Sequence, residues 1–196
     1  SMKISSEAIV KVDDKIIKAS DKIKIWLYYK KKGYLVTNKD PFNRMTIFDD
    51  LKYKIKKSFI SVGRLDLNSE GLLILTNNGD LARKLELPVS GYLRRYKVKV
   101  KGEVNKIKLE SLRNGIKIKN IQYGSILTKI IKKNKKSTWL DVSLKEGKNR
   151  EIRRVFLHLG YQVIRLIRIS FGPFYLKNMK PGDVLEVKQN KIKNLN

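Results

Sequence analysis

Hydrophobic and polar residues alternate strictly over residues 95–101: Tyr96, Val98 and Val100 share one face, and Lys97, Lys99 and Lys101 share the other. A period of two predicts a strand with one face in a core. Leu72-Leu73-Ile74-Leu75 is instead a continuous apolar run, the pattern of a short strand buried on both faces. Further strands are predicted at 25–29, 116–118, 126–131, 138–144, 163–169 and 185–187. Val10-Lys11-Val12 and Lys15-Ile16-Ile17, on either side of Asp13-Asp14, predict a small hairpin. Helical spacing is rarer. Thr46 can cap a helix with Asp49 three residues on, and Ile47, Leu51 and Ile55 would form its buried stripe. Leu81 and Leu85 fall on one face of a short helix capped by Asp80 and ending before Pro88. Residues 105–113 predict a third helix, closed by Asn114-Gly115. A fourth runs from an N-cap at Asn149 to a stop at Gly160, with Ile152, Val155, Phe156 and Leu159 as its apolar face.

Charge changes this picture most. The 196 residues include 45 Lys and Arg against 18 Asp and Glu, a formal net charge of +27 spread over the whole chain. A field of that sign attracts polyanions, and nucleic acid is the leading partner. A compositional bias towards Lys, Ile and Asn inflates the charge without creating it. There are no cysteines and one histidine, His158. Disulfides and thiol nucleophiles are excluded, and a transition-metal site is not expected. No apolar run approaches the ~20 residues that span a bilayer, and the start has no signal-peptide core. The expectation is a cytoplasmic monomer with no membrane association. Ser1-Met2 reads as a cloning remnant.

Two stretches carry candidate chemistry. In SVGRLDLNSEGLLIL, residues 61–75, Asp66 stands on a polar shoulder just before the buried run, and Asn68-Ser69-Glu70-Gly71 reads as a turn. In EGKNREIRRVF, residues 146–156, helix phase separates three arginines. With Ile152 as origin and ~100° per residue, Arg153 lies about 100° away, at the border of the apolar face, while Arg150 and Arg154 lie about 160° away on either side. From the border position a guanidinium can reach a semi-buried carboxylate without burying its charge unpaired. On pattern alone Asp66 also fits an aspartate paired with a nearby cation, Tyr96 a core tyrosine, and this helix an ordinary basic amphipathic one.

Residues 62–85 closely resemble the central motif of RNA pseudouridine synthases, in the branch whose members modify ribosomal RNA: type A for the small ribosomal subunit, types B, E and F for the large one. The matching groups are Gly63-Arg64-Leu65-Asp66, Glu70-Gly71-Leu72-Leu73, Thr76-Asn77 and Gly79. Residues 146–156 carry a second resemblance, and Arg165-Leu166-Ile167-Arg168-Ile169 resembles type B more than type A. The family usually has Asn-Lys-Pro-x-Gly where this chain has Tyr29-Lys30-Lys31-Lys32-Gly33, which puts the local turn in question. Residues 1–23 resemble the tail end of an S4-like RNA-binding module whose helical first half is missing, or form a basic leader. Residues 24–196 would be the catalytic domain.

The resemblance implies an α+β fold around a mixed, mainly antiparallel sheet flanked by short helices. It implies isomerisation of a specific uridine in ribosomal RNA, in the large subunit, to pseudouridine on a flipped-out base. Asp66 would be the catalytic aspartate, Tyr96 would lie against the target base, and Arg153 would pair with Asp66. Arg64, Lys30, Lys32, Lys148, Arg150 and Arg154 are the expected RNA-binding residues. The partner would be ribosomal RNA or a pre-ribosomal particle. Nothing is oxidised and no group is imported in this reaction, so no cofactor and no metal is expected. The alternative reading is a non-catalytic ribosomal-RNA-binding protein that retains the fold.

Overall fold

A computed structural model of the chain describes residues 10–12, 15–17 and 22–193. In chain order the elements are β1 Val10–Val12, β2 Lys15–Ile17, β3 Ile25–Lys30, α1 Ile47–Leu51, β4 Ile60–Val62, β5 Glu70–Thr76, α2 Gly79–Glu86, β6 Arg94–Lys101 and α3 Lys106–Glu110. They continue with β7 Ile116–Ile118, β8 Ile121–Tyr123, β9 Ile126–Asn134, β10 Ser137–Leu144, α4 Glu151–His158, β11 Val163–Phe171, β12 Phe174–Tyr175, β13 Val184–Glu186 and α5 Gln189–Lys193. β1 and β2 pair antiparallel, as the sequence predicts for a hairpin. The likeness of residues 1–23 to an S4-like module otherwise lies outside the described residues.

One nine-stranded sheet organises the molecule, in the order β13-β3-β5-β11-β6-β10-β9, with β12 on β11 and β4 on β5. Its ladders are antiparallel except for β5 beside β11. This is the mixed, mainly antiparallel α+β architecture expected. β5 is buried at all seven positions, because its two faces serve different cores. Leu72 and Ile74 pack with Ile25, Leu27 and the α2 residues Leu81 and Leu85. Leu73 and Leu75 pack on the other face with Trp26, Tyr28, and Ile47 and Leu51 of α1. A third cluster fills the far half of the sheet, where Val98, Val100, Leu140 and Val142 meet Val155 and Phe156 of α4.

Local chemistry sets the helix ends. Thr46 caps α1 with Asp49 in a reciprocal box: the Asp49 amide donates to Thr46 Oγ1 at 3.3 Å, and the Thr46 amide to Asp49 Oδ2 at 2.8 Å. Two expected caps differ. α2 is capped by Asn78 rather than Asp80, its Oδ1 accepting from the Leu81 amide at 2.7 Å. At the start of α4, Arg150 holds the cap position in the left-handed region, φ 51°, so Asn149 is displaced from it. The Lys148 amide donates instead to Glu151 Oε2 at 2.9 Å.

Glu70 and Gly71 belong to β5 rather than to a turn. Gly71 has φ +103°, and a Cβ there would lie 2.8 Å from the Arg168 amide nitrogen and closer still to the Arg168 carbonyl. Only glycine allows β5 and β11 to approach so closely at this point. Register then forms one row across four strands: Lys30 of β3 opposite Gly71 of β5, Gly71 opposite Arg168 of β11, and Arg168 opposite Tyr96 of β6.

Candidate active site

Asp66 lies in the loop between β4 and β5, just ahead of that row, and is partly buried. Its neighbour Leu65 is an anchor, packed into the core beneath α1. The next four carbonyls are each held by a donor from elsewhere in the chain. The Asp66 carbonyl accepts from Lys30 Nζ at 3.1 Å and from the Ser69 amide at 2.9 Å. The Leu67 carbonyl accepts from the Gly33 amide at 2.8 Å. The Asn68 carbonyl accepts from Arg153 Nη2 at 2.7 Å, and the Ser69 carbonyl from Lys30 Nζ at 2.8 Å. Upstream, the Gly63 amide donates to Glu86 Oε1 at 2.6 Å. A loop with so many fixed groups holds its side chain still.

Lys30 is fully buried, so it is not available to RNA phosphates as the sequence suggested. It ends β3 and turns its ammonium under the loop, donating to three carbonyls, those of Lys31, Asp66 and Ser69. Burial pushes its pKa down to about 8, even though Asp66 and Glu70 attract its charge.

Arg153 is partly buried at the border of the α4 face, where helix phase places it. Its guanidinium donates to the carbonyls of Val163, at 3.2 Å, and Asn68, rather than to the Asp66 carboxylate. The expected direct pair is thus replaced by a grip on the backbone two residues further on. Burial and Arg150 lower its pKa, and the nearby charge of Asp66 raises it. Arg154 is exposed, as phase predicts, and its Nη2 donates to Asn149 Oδ1 at 3.0 Å; Arg150 is exposed too, but from the left-handed cap position, where helix phase does not apply.

Asp66 and Tyr96 line one cavity of about 380 Å³, with Arg64, Lys148 and Arg150 also on its walls. That volume suits a small organic group such as a nucleobase with its sugar. Arg153 and the exposed Lys32 are not among its lining residues.

Four charged lining residues escaped the sequence reading: Glu86, Arg94, Glu151 and Arg168. Arg94 is buried and donates to the carbonyls of Tyr92, at 3.3 Å, and Lys145. Arg168 Nε donates to the Leu72 carbonyl at 2.7 Å, and its Nη2 is buried with no partner. The two guanidiniums lie 4.5 and 5.3 Å from the Phe171 ring centroid. Glu151 is buried, its Oε1 lacks a partner, and burial holds its pKa above the usual carboxylate range. Parity was the available signal, since Arg94 shares a strand face with Tyr96, and Arg168 with Leu166.

The cavity is cationic overall: Arg64, Arg94, Lys148, Arg150 and Arg168 face Asp66, Glu86 and Glu151. Among the described residues no group of three or more His, Asp or Glu side chains could hold a metal ion. No described helix is long and apolar enough to cross a membrane.

The fold is that of a pseudouridylate synthase. A crystal structure of such an enzyme superposes with a TM-score of 0.79, at 22% identity, over 100% of this chain and 83% of the other. The sequence carries the assignment from fold to family. The pattern defining the RNA pseudouridylate synthases matches residues 24–158. An RNA pseudouridine synthase of Rickettsia conorii, itself uncharacterised, is 46% identical over 183 residues, 93% of this chain and 78% of that protein. The ribosomal large subunit pseudouridine synthase B of Buchnera aphidicola is 42% identical over 183 residues, 91% of this chain and 73% of that protein. The chain belongs to the RNA pseudouridylate synthase family and is an RNA pseudouridine synthase.

Proposed function

We propose that this enzyme converts one uridine of large-subunit ribosomal RNA to pseudouridine, with Asp66 as the reacting carboxylate. The likeness to large-subunit synthases of type B supports the choice of RNA. The observation that carries the reading is a partly buried carboxylate on a pinned loop, sharing a nucleoside-sized cationic cavity with Tyr96.

The reaction breaks the N1–C1′ bond, turns the uracil and joins C5 to C1′. N1 gains a proton and C5 loses one, so nothing is oxidised and no group is imported. A carboxylate serves this by attacking the sugar or base, or by stabilising or deprotonating the sugar carbon. Each route needs it fixed beside the glycosidic bond, which is the task of the Lys30 and Arg153 contacts to its loop. The base must leave its stack, at a cost of a few kcal/mol in paired RNA. Arg64, exposed at the cavity, takes the vacated position or a flanking phosphate, and Tyr96 stacks on the extruded base. Lys148, Arg150 and Arg154, with the exposed Lys32, hold the backbone of the RNA. The arginines also add to the positive field that draws RNA to the cavity.

The test is Asp66→Asn, assayed by pseudouridine formation on ribosomal RNA isolated from cells lacking the gene. Turnover is expected to vanish, while RNA affinity stays the same or tightens because a negative charge is removed. Parental turnover by the variant would sink the assignment.

A further inference from the structure

The opposite face of the central sheet bears a second concavity. Alternation in β6 sends Tyr96 to the first cavity and Lys97 to the other face, and alternation in β11 sends Leu166 and Arg168 one way and Ile167 and Ile169 the other. On that second face a groove of about 500 Å³ is lined by Tyr29, Lys97, Ile167, Ile169, Tyr175 and Lys177. Tyr175 is half-exposed on the short strand β12.

The groove continues into a sheet face whose charge is of one free sign. Register places Lys99 between Trp139 of β10 and Arg165 of β11, with Lys99 Nζ 5.8 Å from the Trp139 ring centroid. The carboxylates on this face are engaged. Glu70 accepts from Arg165 at 2.6 and 3.1 Å and from the Tyr29 hydroxyl at 3.0 Å, and Asp141 accepts from Arg95 at 2.7 Å. The acid-to-base pairing leaves Lys97, Lys99, Lys101, Lys129 and Lys177 as cations facing outward or along the sheet, and all but Lys99 are exposed.

We infer that this face binds a single-stranded segment of the RNA substrate, away from the reacting uridine. One base enters the groove and stacks on Tyr175, its flanking phosphates lie on Lys97 and Lys177, and the strand continues past Lys99 and Trp139. A charged track with aromatic platforms at intervals is the chemistry that holds unpaired nucleic acid. A duplex is read through its phosphates and 2′-hydroxyls and has no free base to enter a groove. The inference rests on the reading of the enzyme as one that acts on RNA.

The test uses the whole protein and two probes of equal length, a fluorescent oligouridylate carrying one 4-thiouridine, and a blunt RNA duplex. Tyr175→Ala is expected to weaken oligouridylate binding about 5- to 150-fold, the worth of one stacked base, and to leave duplex binding unchanged. Lys97→Gln with Lys177→Asn should flatten the oligouridylate salt slope by about 0.7 for each phosphate no longer neutralised. Asparagine is chosen because Lys177 has φ 47° and asparagine tolerates that region. Photocrosslinks should map to the peptide containing Tyr175.

Unchanged oligouridylate binding in both variants would overturn the inference. So would equal losses for duplex and single strand, which would mean unspecific charge alone. Polyglutamate competing with the same dependence on Tyr175 would make the partner an acidic protein and overturn it as well. Turnover by Asp66→Asn tests the catalytic reading separately, since that substitution leaves the second face intact.

Discussion

At the scale of single residues, Lys30 connects charge to reactivity. Its ammonium bridges carbonyls at both ends of the Asp66 turn, those of Asp66 and Ser69. Lys30→Met is expected to lower kcat about 10²-fold, the effect of a misplacement near 1 Å, with RNA affinity little changed. The pKa of Lys30 falls from the ordinary lysine value of 10.5 to about 8. Between about 8 and 10.5 the unfolded chain therefore binds this proton more tightly than the folded one does. By linkage, the group's burial penalty is fully present below about pH 8 and is relieved as pH rises through that window. Neutral Lys30 has one fewer N–H, so kcat of the parent enzyme should fall above about pH 8 while this group's stability term improves. A pH–rate profile of Lys30→Met with the same alkaline fall would contradict the assignment. The residue was misjudged from sequence for a physical reason. In a run of three lysines after an all-apolar strand nothing marks the point where the chain leaves the sheet, and the first of them still points into it.

At the scale of elements, phase within α4 separates Arg153 from Arg154, and the left-handed cap turns Arg150 outward. Arg153→Ala should reduce kcat about 10²-fold through a loosened Asn68 carbonyl, with Kd for RNA nearly unchanged. Arg150→Ala or Arg154→Ala should instead weaken binding and reduce the salt slope by about 1. Equal kcat for Arg153→Ala and the parent at saturating RNA would show that the grip on the loop is immaterial. Periodicity made the face of this helix legible, as it did for β6, whose buried and less buried positions alternate from Arg94 onward. It also made the Thr46–Asp49 box legible, because both partners are local. The pairing of β5 with β11 was not, since nothing within β5 announces a partner 96 residues away, as Arg168 is from Leu72. For the same reason Glu70-Gly71 read as a turn. A glycine with positive φ in a strand looks like punctuation until the backbone that crowds it is known. Arg94 and Arg168 needed only the parity argument already applied to Tyr96.

For the whole molecule, the charge of +27 is a statement about association. If the chain neutralises about six to ten phosphates, affinity should fall about 10³–10⁵-fold between 50 and 200 mM salt. A flat plot of log K against log salt would mean that the composition serves no binding role.

The row of Lys30, Gly71, Arg168 and Tyr96 has a consequence in time. Its members come from strands that are distant in sequence, and its central joint is the parallel pair. Long closures must be made before their contacts repay the lost chain entropy. A nascent chain that has emerged only as far as β6 carries Asp66 and Tyr96 but lacks both β11, which places them together, and α4, which grips the loop. The loop that carries the aspartate stays unorganised until α4 and β11 have emerged. On the proposed role of Asp66, reactivity is thereby deferred until both elements are in place, and a copy that stops short of β11 has no assembled cavity around the aspartate.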